Sequence, residues 1–161
     1  MDTVVLPEWA AAELRGLRQV LADVRAQLVP VTAAMRAVAA DDPIVHALDQ
    51  HRGFGPVFSV IIRAEVGVIE RFPDGAHLAS YAGLVPRVAQ SGRRHWSGRI
   101  TKTGSPWLRW ALIEAAIHQF RRPDAFGAWA RQLAIRTGML KARVAVARAL
   151  CAEIVAAWPL G

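Results

Sequence analysis

The chain has 161 residues, of which 53% are hydrophobic and 20% charged, enough for one domain with a real core and too apolar for a disordered tail. Its net charge of +7 and pI near 11.1 favour a polyanionic partner, and a single cysteine, Cys151, excludes an internal disulfide or a paired-cysteine zinc site. Asp2, Glu8 and Glu13 interrupt the start early, which argues against a signal peptide. The apolar stretch 144–158 is broken by Arg148 and Glu153 and is too short for a bilayer, so the expectation is a soluble, cytoplasmic protein with no membrane partner.

The first segment spaces Leu14, Leu17, Leu21, Val24, Leu28, Val31, Met35 and Val38 by alternating threes and fours. This is the seam of a coiled coil, and it predicts either homo-oligomerisation or a long helix packed on its own domain. Pro30 inside the pattern is expected to kink or divide that helix, because it removes a backbone donor and clashes with the preceding turn. After Asp42-Pro43 a short helix to Gln50 is followed by Arg52-Gly53-Phe54-Gly55-Pro56 and a second helix, 57–66, that stops at Gly67. Two short helices joined through Gly53 and Gly55 are helix-hairpin-helix-like, a geometry in which backbone N–H groups can face a phosphate. A plain helical turn explains the same residues.

Asp74 is placed to cap a helix over 75–81 and Ser105 to cap one beginning at Pro106, with Leu108, Leu112, Ala115, Ala116 and Phe120 turned to the core. Trp96, Trp107 and Trp110, in or beside the basic segment, are all candidates for stacking on splayed bases, but the helical spacing of Trp107 and Trp110 reads rather as core, which leaves Trp96 as the better one. Arg122-Pro123 ends this helix and Asp124 caps the next, to about Gly138. A last helix runs from about Leu140 to Trp158, with Cys151 a buried, inert thiol. The fold class is mainly α: an N-terminal long helix or coiled coil, then a compact helical domain with a helix-hairpin-helix-like element and a basic loop. Strand potential is confined to 85–88 and 99–101.

The basic loop holds the strongest functional signal. From Gly75 to Ile113 the six Lys/Arg residues are Arg87, Arg93, Arg94, Arg99, Lys102 and Arg109, with no Asp or Glu. Such a field suits a phosphodiester backbone, although a solvated basic surface has the same composition. Among five serines, Ser59 and Ser80 fall in helices and Ser105 is a cap, which leaves Ser91 and Ser97 on the loop. Gly92 beside Ser91 permits close backbone approach. His95 is placed for a phosphate or base contact, or for proton transfer. His46 and His51, near Asp42 and Asp49, match no standard metal-ligand spacing.

Several pieces together resemble the C-terminal half of transposases of the insertion-sequence 110/116/902 type, the bridge-RNA-guided serine recombinases. They are Gly53-Phe54-Gly55-Pro56, Glu65-Val66-Gly67 with Arg71-Phe72, the run 78–86 ending Tyr81-Ala82-Gly83-Leu84-Val85-Pro86, and Gln90-Ser91-Gly92. The run 98–104, Leu108-Arg109 and 141–148 complete the pattern. The resemblance implies a domain at 41–161 behind a coiled-coil or dimerisation helix at 1–40. It puts the nucleophile for DNA cleavage and rejoining on Ser91, with DNA and a guide RNA as partners. It also implies an N-terminal RuvC-like domain whose acids bind divalent metal, Mg in the first instance. These 161 residues hold no counterpart of it, so metal is expected only with that domain, and autonomous transposition is not expected. Within the resemblance, Arg93, Arg94 and Lys102 would stabilise charge at the scissile phosphate, while Arg87, Arg99 and Arg109 track neighbouring phosphates or RNA.

Overall fold

A single helix, α1 (Glu8–Asp41), takes up the first quarter of the chain in the computed structural model, which describes residues 6–91 and 94–158. Pro30 does not divide it. The proline forgoes one hydrogen bond, to the Ala26 carbonyl, but both residues are exposed, so water can satisfy that oxygen while the flanking bonds carry the helix on. No residue of α1 is buried, and the seam residues Leu14, Leu17, Leu21, Val24 and Leu28 all lie open. The helix meets the rest of the protein along its last turns, where Thr32, Met35 and Ala39 are half-buried against α2 (Pro43–Asp49) and α3 (Gly55–Val66).

Asp42 makes that junction. Its carboxylate accepts from the N–H groups of Ile44 (2.8 Å) and Val45 (3.2 Å), capping α2, and pairs with Arg63 of α3 at 2.9 Å. A short 3₁₀ turn, Ile69–Arg71, leads to α4 (Gly75–Tyr81), capped by Asp74 through the His77 N–H. The chain then forms β1 (Pro86–Ser91) and β2 (Arg94–Ile100), before α5 (Pro106–Gln119), α6 (Ala125–Thr137) and α7 (Met139–Ala157). Ser105 Oγ accepts from Leu108 N–H at 3.1 Å and Asp124 accepts from Gly127 N–H at 3.0 Å, so both expected caps are in place.

The core is built where α7 packs on α4, α5 and α6 while α3 covers α5 from another side. Leu48, Phe54, Ile62, Leu78, Leu84, Leu108, Leu112, Leu150 and Ile154 fill it. Small residues set the spacing: a side chain at Gly75 would run into the backbone of Ala152 in α7. Arg122 joins three helices, bonding Gln119 of α5, the α6 cap Asp124 and, at 3.6 Å, Glu153 of α7. Cys151 is fully buried, and burial pushes its thiol pKa up to about 12.

One expectation needs correction. The basic segment is not an irregular loop but an antiparallel hairpin, pairing Val88 with Ser97, Ala89 with Trp96, Gln90 with His95 and Ser91 with Arg94. The register shifts between Pro86 and Val88. That irregularity interrupts the alternation of faces by which a strand is read, and only the outer ends, 85–88 and 99–101, carry strand potential in the sequence.

Candidate nucleic-acid interface

The hairpin leaves the body through a clamp made by two of the motifs singled out above. Helix α4 ends at Tyr81 with Ala82 as its C-cap, and Gly83 follows at φ +69°. Gly83 N–H donates to Ser80 O (2.9 Å) and Leu84 N–H to Ala79 O (2.9 Å), a glycine-terminated cap that turns the chain sharply outward. The returning strand is sewn to it by Thr101 N–H to Val85 O (2.9 Å) and Lys102 N–H to Gly83 O (3.1 Å). Contact here is backbone to backbone. A side chain at Gly83 would collide with Thr103, and one at Gly104, where φ is +94°, would overlap the carbonyl oxygen of Tyr81. Lys102 itself sits at φ +55°, a left-handed conformation uncommon for a residue with a side chain.

The cations sort themselves around this clamp. Arg87, Arg99 and Lys102 are exposed at the foot of the hairpin, with Arg87 Nη2 donating to Thr101 O at 3.3 Å. Arg109 is half-buried and donates from Nη1 to Ala82 O at 3.1 Å, which ties the first turn of α5 to the end of α4. A positive charge there also faces the negative end of α4. Ser91 closes β1, its backbone opposite Arg94. Gly92 and Arg93 lie outside the described residues, as do the side chains of 88–97, which include Ser91, Arg94, His95 and Trp96.

Gly53 and Gly55 occupy the far side of α5. The connection between α2 and α3 holds Gly53 at φ +95°, with Gln119 Nε2 where a side chain would point; Ala115 O is 3.1 Å from that position. Gln119 Nε2 donates to Arg52 O at 2.6 Å and Ala115 O at 3.1 Å. The close approach Gly53 permits is thus made by the protein's own α5, whereas Gly55 (φ +57°) has open space beside it. Arg109 and Gln119 are separated along α5 by about 15 Å at 1.5 Å per residue, so the fold does not gather the glycine turn and the cationic hairpin into one site.

The tryptophans correct a second expectation. Trp107 and Trp110 are not core: they are 64% and 43% exposed, while Leu108, Ala111 and Leu112 take the buried face of α5. Sequence reasoning also missed the clamp itself, for which the left-handed glycines Gly83 and Gly104 were the available signal. Among the described residues, no three His, Cys, Asp or Glu side chains converge as a metal-ligating group. No described helix is long and apolar enough to cross a membrane.

Fold and site therefore define a helical body that holds out a clamped, cation-footed hairpin. The sequence model of the Transposase IS116/IS110/IS902 family matches residues 45–132, more than half of the chain and all of that site. The chain belongs to this family. It is 29% identical over 132 residues to a Pseudomonas aeruginosa protein named "Probable family 20 transposase", covering 80% of this chain and 39% of the relative. It is 32% identical over 117 residues to the transposase for insertion sequence element IS1111A of Coxiella burnetii, covering 70% and 32%. Against the Streptomyces coelicolor "Insertion element IS110 uncharacterized 43.6 kDa protein" the identity is 29%, covering 71% and 29%. The chain thus spans well under half the length of these curated relatives.

Proposed function

We propose that this chain is a DNA-handling transposase domain in which Ser91 is the nucleophile for strand cleavage and rejoining. The observation that carries the reading is the placement of Ser91 at the far end of β1, on a ribbon anchored to the body by backbone contacts and ringed at its foot by cations. In the proposed step, Ser91 Oγ attacks phosphorus, one P–O ester bond to the departing strand breaks, and a phosphoserine diester forms. The hydroxyl proton leaves the serine and the departing strand end is protonated. Attack by another strand's terminal hydroxyl on the phosphoserine reverses the exchange, so one ester bond is traded for another and no nucleotide cofactor is consumed.

A serine hydroxyl is a weak nucleophile near neutral pH. In our reading Arg93 and Arg94, beside Ser91 in the chain, offset charge on the phosphate oxygens, while Arg87, Arg99 and Lys102, at the foot of the hairpin, hold flanking phosphates. Divalent ions, Mg foremost, belong to a RuvC-like acidic domain acting with this one, and a guide RNA selects the DNA sequence. The open seam of α1 supports self-association as a coiled coil, with 1–40 the dimerisation helix and 41–161 the transposase domain.

Covalent trapping tests the assignment. Wild type and Ser91→Ala are incubated with donor or target junction DNA, Mg, guide RNA and a complementing acidic half, then resolved on a denaturing gel. An adduct formed by wild type alone is the expected result. Absence of adduct, with DNA binding retained and the complementing half active beside an intact partner, would leave a noncatalytic nucleic-acid-binding module.

A further inference from the structure

At the start of α5 a pair of tryptophans is left in water by a helix that had buried positions to offer. Trp107 and Trp110 stand one turn apart, rings edge to face at 6.3 Å between centroids and 89° between planes. Phe58 of α3 meets Trp110 at 5.5 Å and 71°, so the aromatic row is braced from beneath by the half-buried end of another helix. The same turn is fixed in place by the Ser105 cap and by the bond from Arg109 to Ala82 O. Rings held this firmly and left this open, Trp107 at 64%, form a pre-organised surface rather than a packing accident.

Charge says what the surface fits. The tryptophans lie within the acid-free run from Gly75 to Ile113, and Lys102 and Arg99 stand exposed just upstream of Ser105. The first carboxylate along that face of α5, Glu114, comes one turn after Trp110. Exposed aromatic faces on a segment that also carries exposed cations, and that meets its first carboxylate only a turn beyond Trp110, complement a nucleotide: π-face to indole, phosphate to Lys or Arg. Bases inside a duplex hide their faces from such a surface, whereas unpaired bases offer them.

We infer that Trp107 and Trp110 form a stacking platform for unpaired nucleotides at the foot of the hairpin. This rests on the nucleic-acid reading above and adds a preference for unpaired bases, carried by Trp107 foremost because it is the more exposed.

The test measures anisotropy of two labelled DNAs of equal length with the full chain, one a continuous duplex and one carrying a short single-stranded gap. Trp107→Ala should weaken gapped DNA about tenfold, the loss expected from one stacked base, and leave the duplex within about twofold. Trp107→Phe should keep most of the gapped-DNA affinity. An equal loss on both DNAs, or no loss on either, overturns the platform while leaving the nucleic-acid reading intact. So does a change in the sedimentation coefficient of Trp107→Ala without DNA, which would make the patch a protein contact. The parent reading has its own arm: Arg99→Ala with Lys102→Ala should weaken both DNAs and flatten the salt dependence. A wild-type chain that binds neither DNA overturns both.

Discussion

Gly104→Ala should release the hairpin from the body. The added methyl would overlap the carbonyl oxygen of Tyr81, and φ at this position is +94°. An alanine forced into left-handed backbone costs about 1–2 kcal/mol, and relieving an overlap with main chain costs about 1–3 kcal/mol more. The sum, about 2–5 kcal/mol, corresponds to a fall in Tm of roughly 4–20 °C for a chain of this size. Gly55→Ala is the matched control: φ there is +57°, but nothing lies within 4 Å of the new methyl, so only the backbone share of about 1–2 kcal/mol applies. Thermal unfolding by circular dichroism reads both variants. Hydrogen exchange adds a local probe, because the Lys102 amide bonded to Gly83 O should lose protection in Gly104→Ala and keep it in Gly55→Ala. If Gly104→Ala costs no more than Gly55→Ala, the close approach of the two motifs does not hold the hairpin and the reasoning is wrong.

Asp42 makes stability depend on acid. Burial pushes its carboxyl up, but the cap bonds from Val45 and Ile44 and the pair with Arg63 outweigh that and hold the pKa below its ordinary value. Its contribution is therefore full above the unfolded carboxylate pKa of about 4 and is lost as pH falls through the folded value. Asp42→Asn, which keeps a cap but no charge, should have a lower urea midpoint than wild type at pH 7, with the gap closing toward pH 2. A gap independent of pH would show that the charge is idle. Cys151, buried with its thiol pKa at about 12, should resist a thiol reagent at pH 8 until urea unfolds the chain; labelling at the native rate of an exposed thiol would contradict the burial. Leu21→Asp with Leu28→Asp should abolish the proposed self-association in sedimentation while leaving the unfolding of the helical body unchanged, since neither residue touches it. A wild type that stays monomeric at high concentration would refute the coiled-coil reading.

What was legible in the residues was local. The caps at Asp74, Ser105 and Asp124 follow from a short polar side chain bonding N–H groups three residues on, and each bond is present. The concentration of cations between 87 and 109 also needs no fold to be seen. What failed depended on partners distant in the chain. At Gly53 the sequence shows a glycine between two helices but not that Gln119, bonded to neighbouring Arg52, occupies the space beside it. Trp107 and Trp110 share a helical spacing that marks a common face without saying which face is buried; Leu108, Ala111 and Leu112, turned roughly 100° away, took the core. The strands were legible only in part, at 85–88 and 99–101, because the register shift between Pro86 and Val88 breaks the alternation by which a strand is read.

The length of α1 fixes a ruler. Thirty-four residues at 1.5 Å each give about 50 Å, close to the run of fifteen base pairs of duplex at 3.4 Å per step. The helical body sits at the C-terminal end of that rod. If two rods paired antiparallel along their full length, the bodies would be held at opposite ends, able to reach two DNA sites about a turn and a half apart and unable to meet at one. Paired in parallel, they would stand side by side over a single junction. Under the proposed function, the direction in which two such helices ran would decide whether the hairpins worked on one crossover or on two.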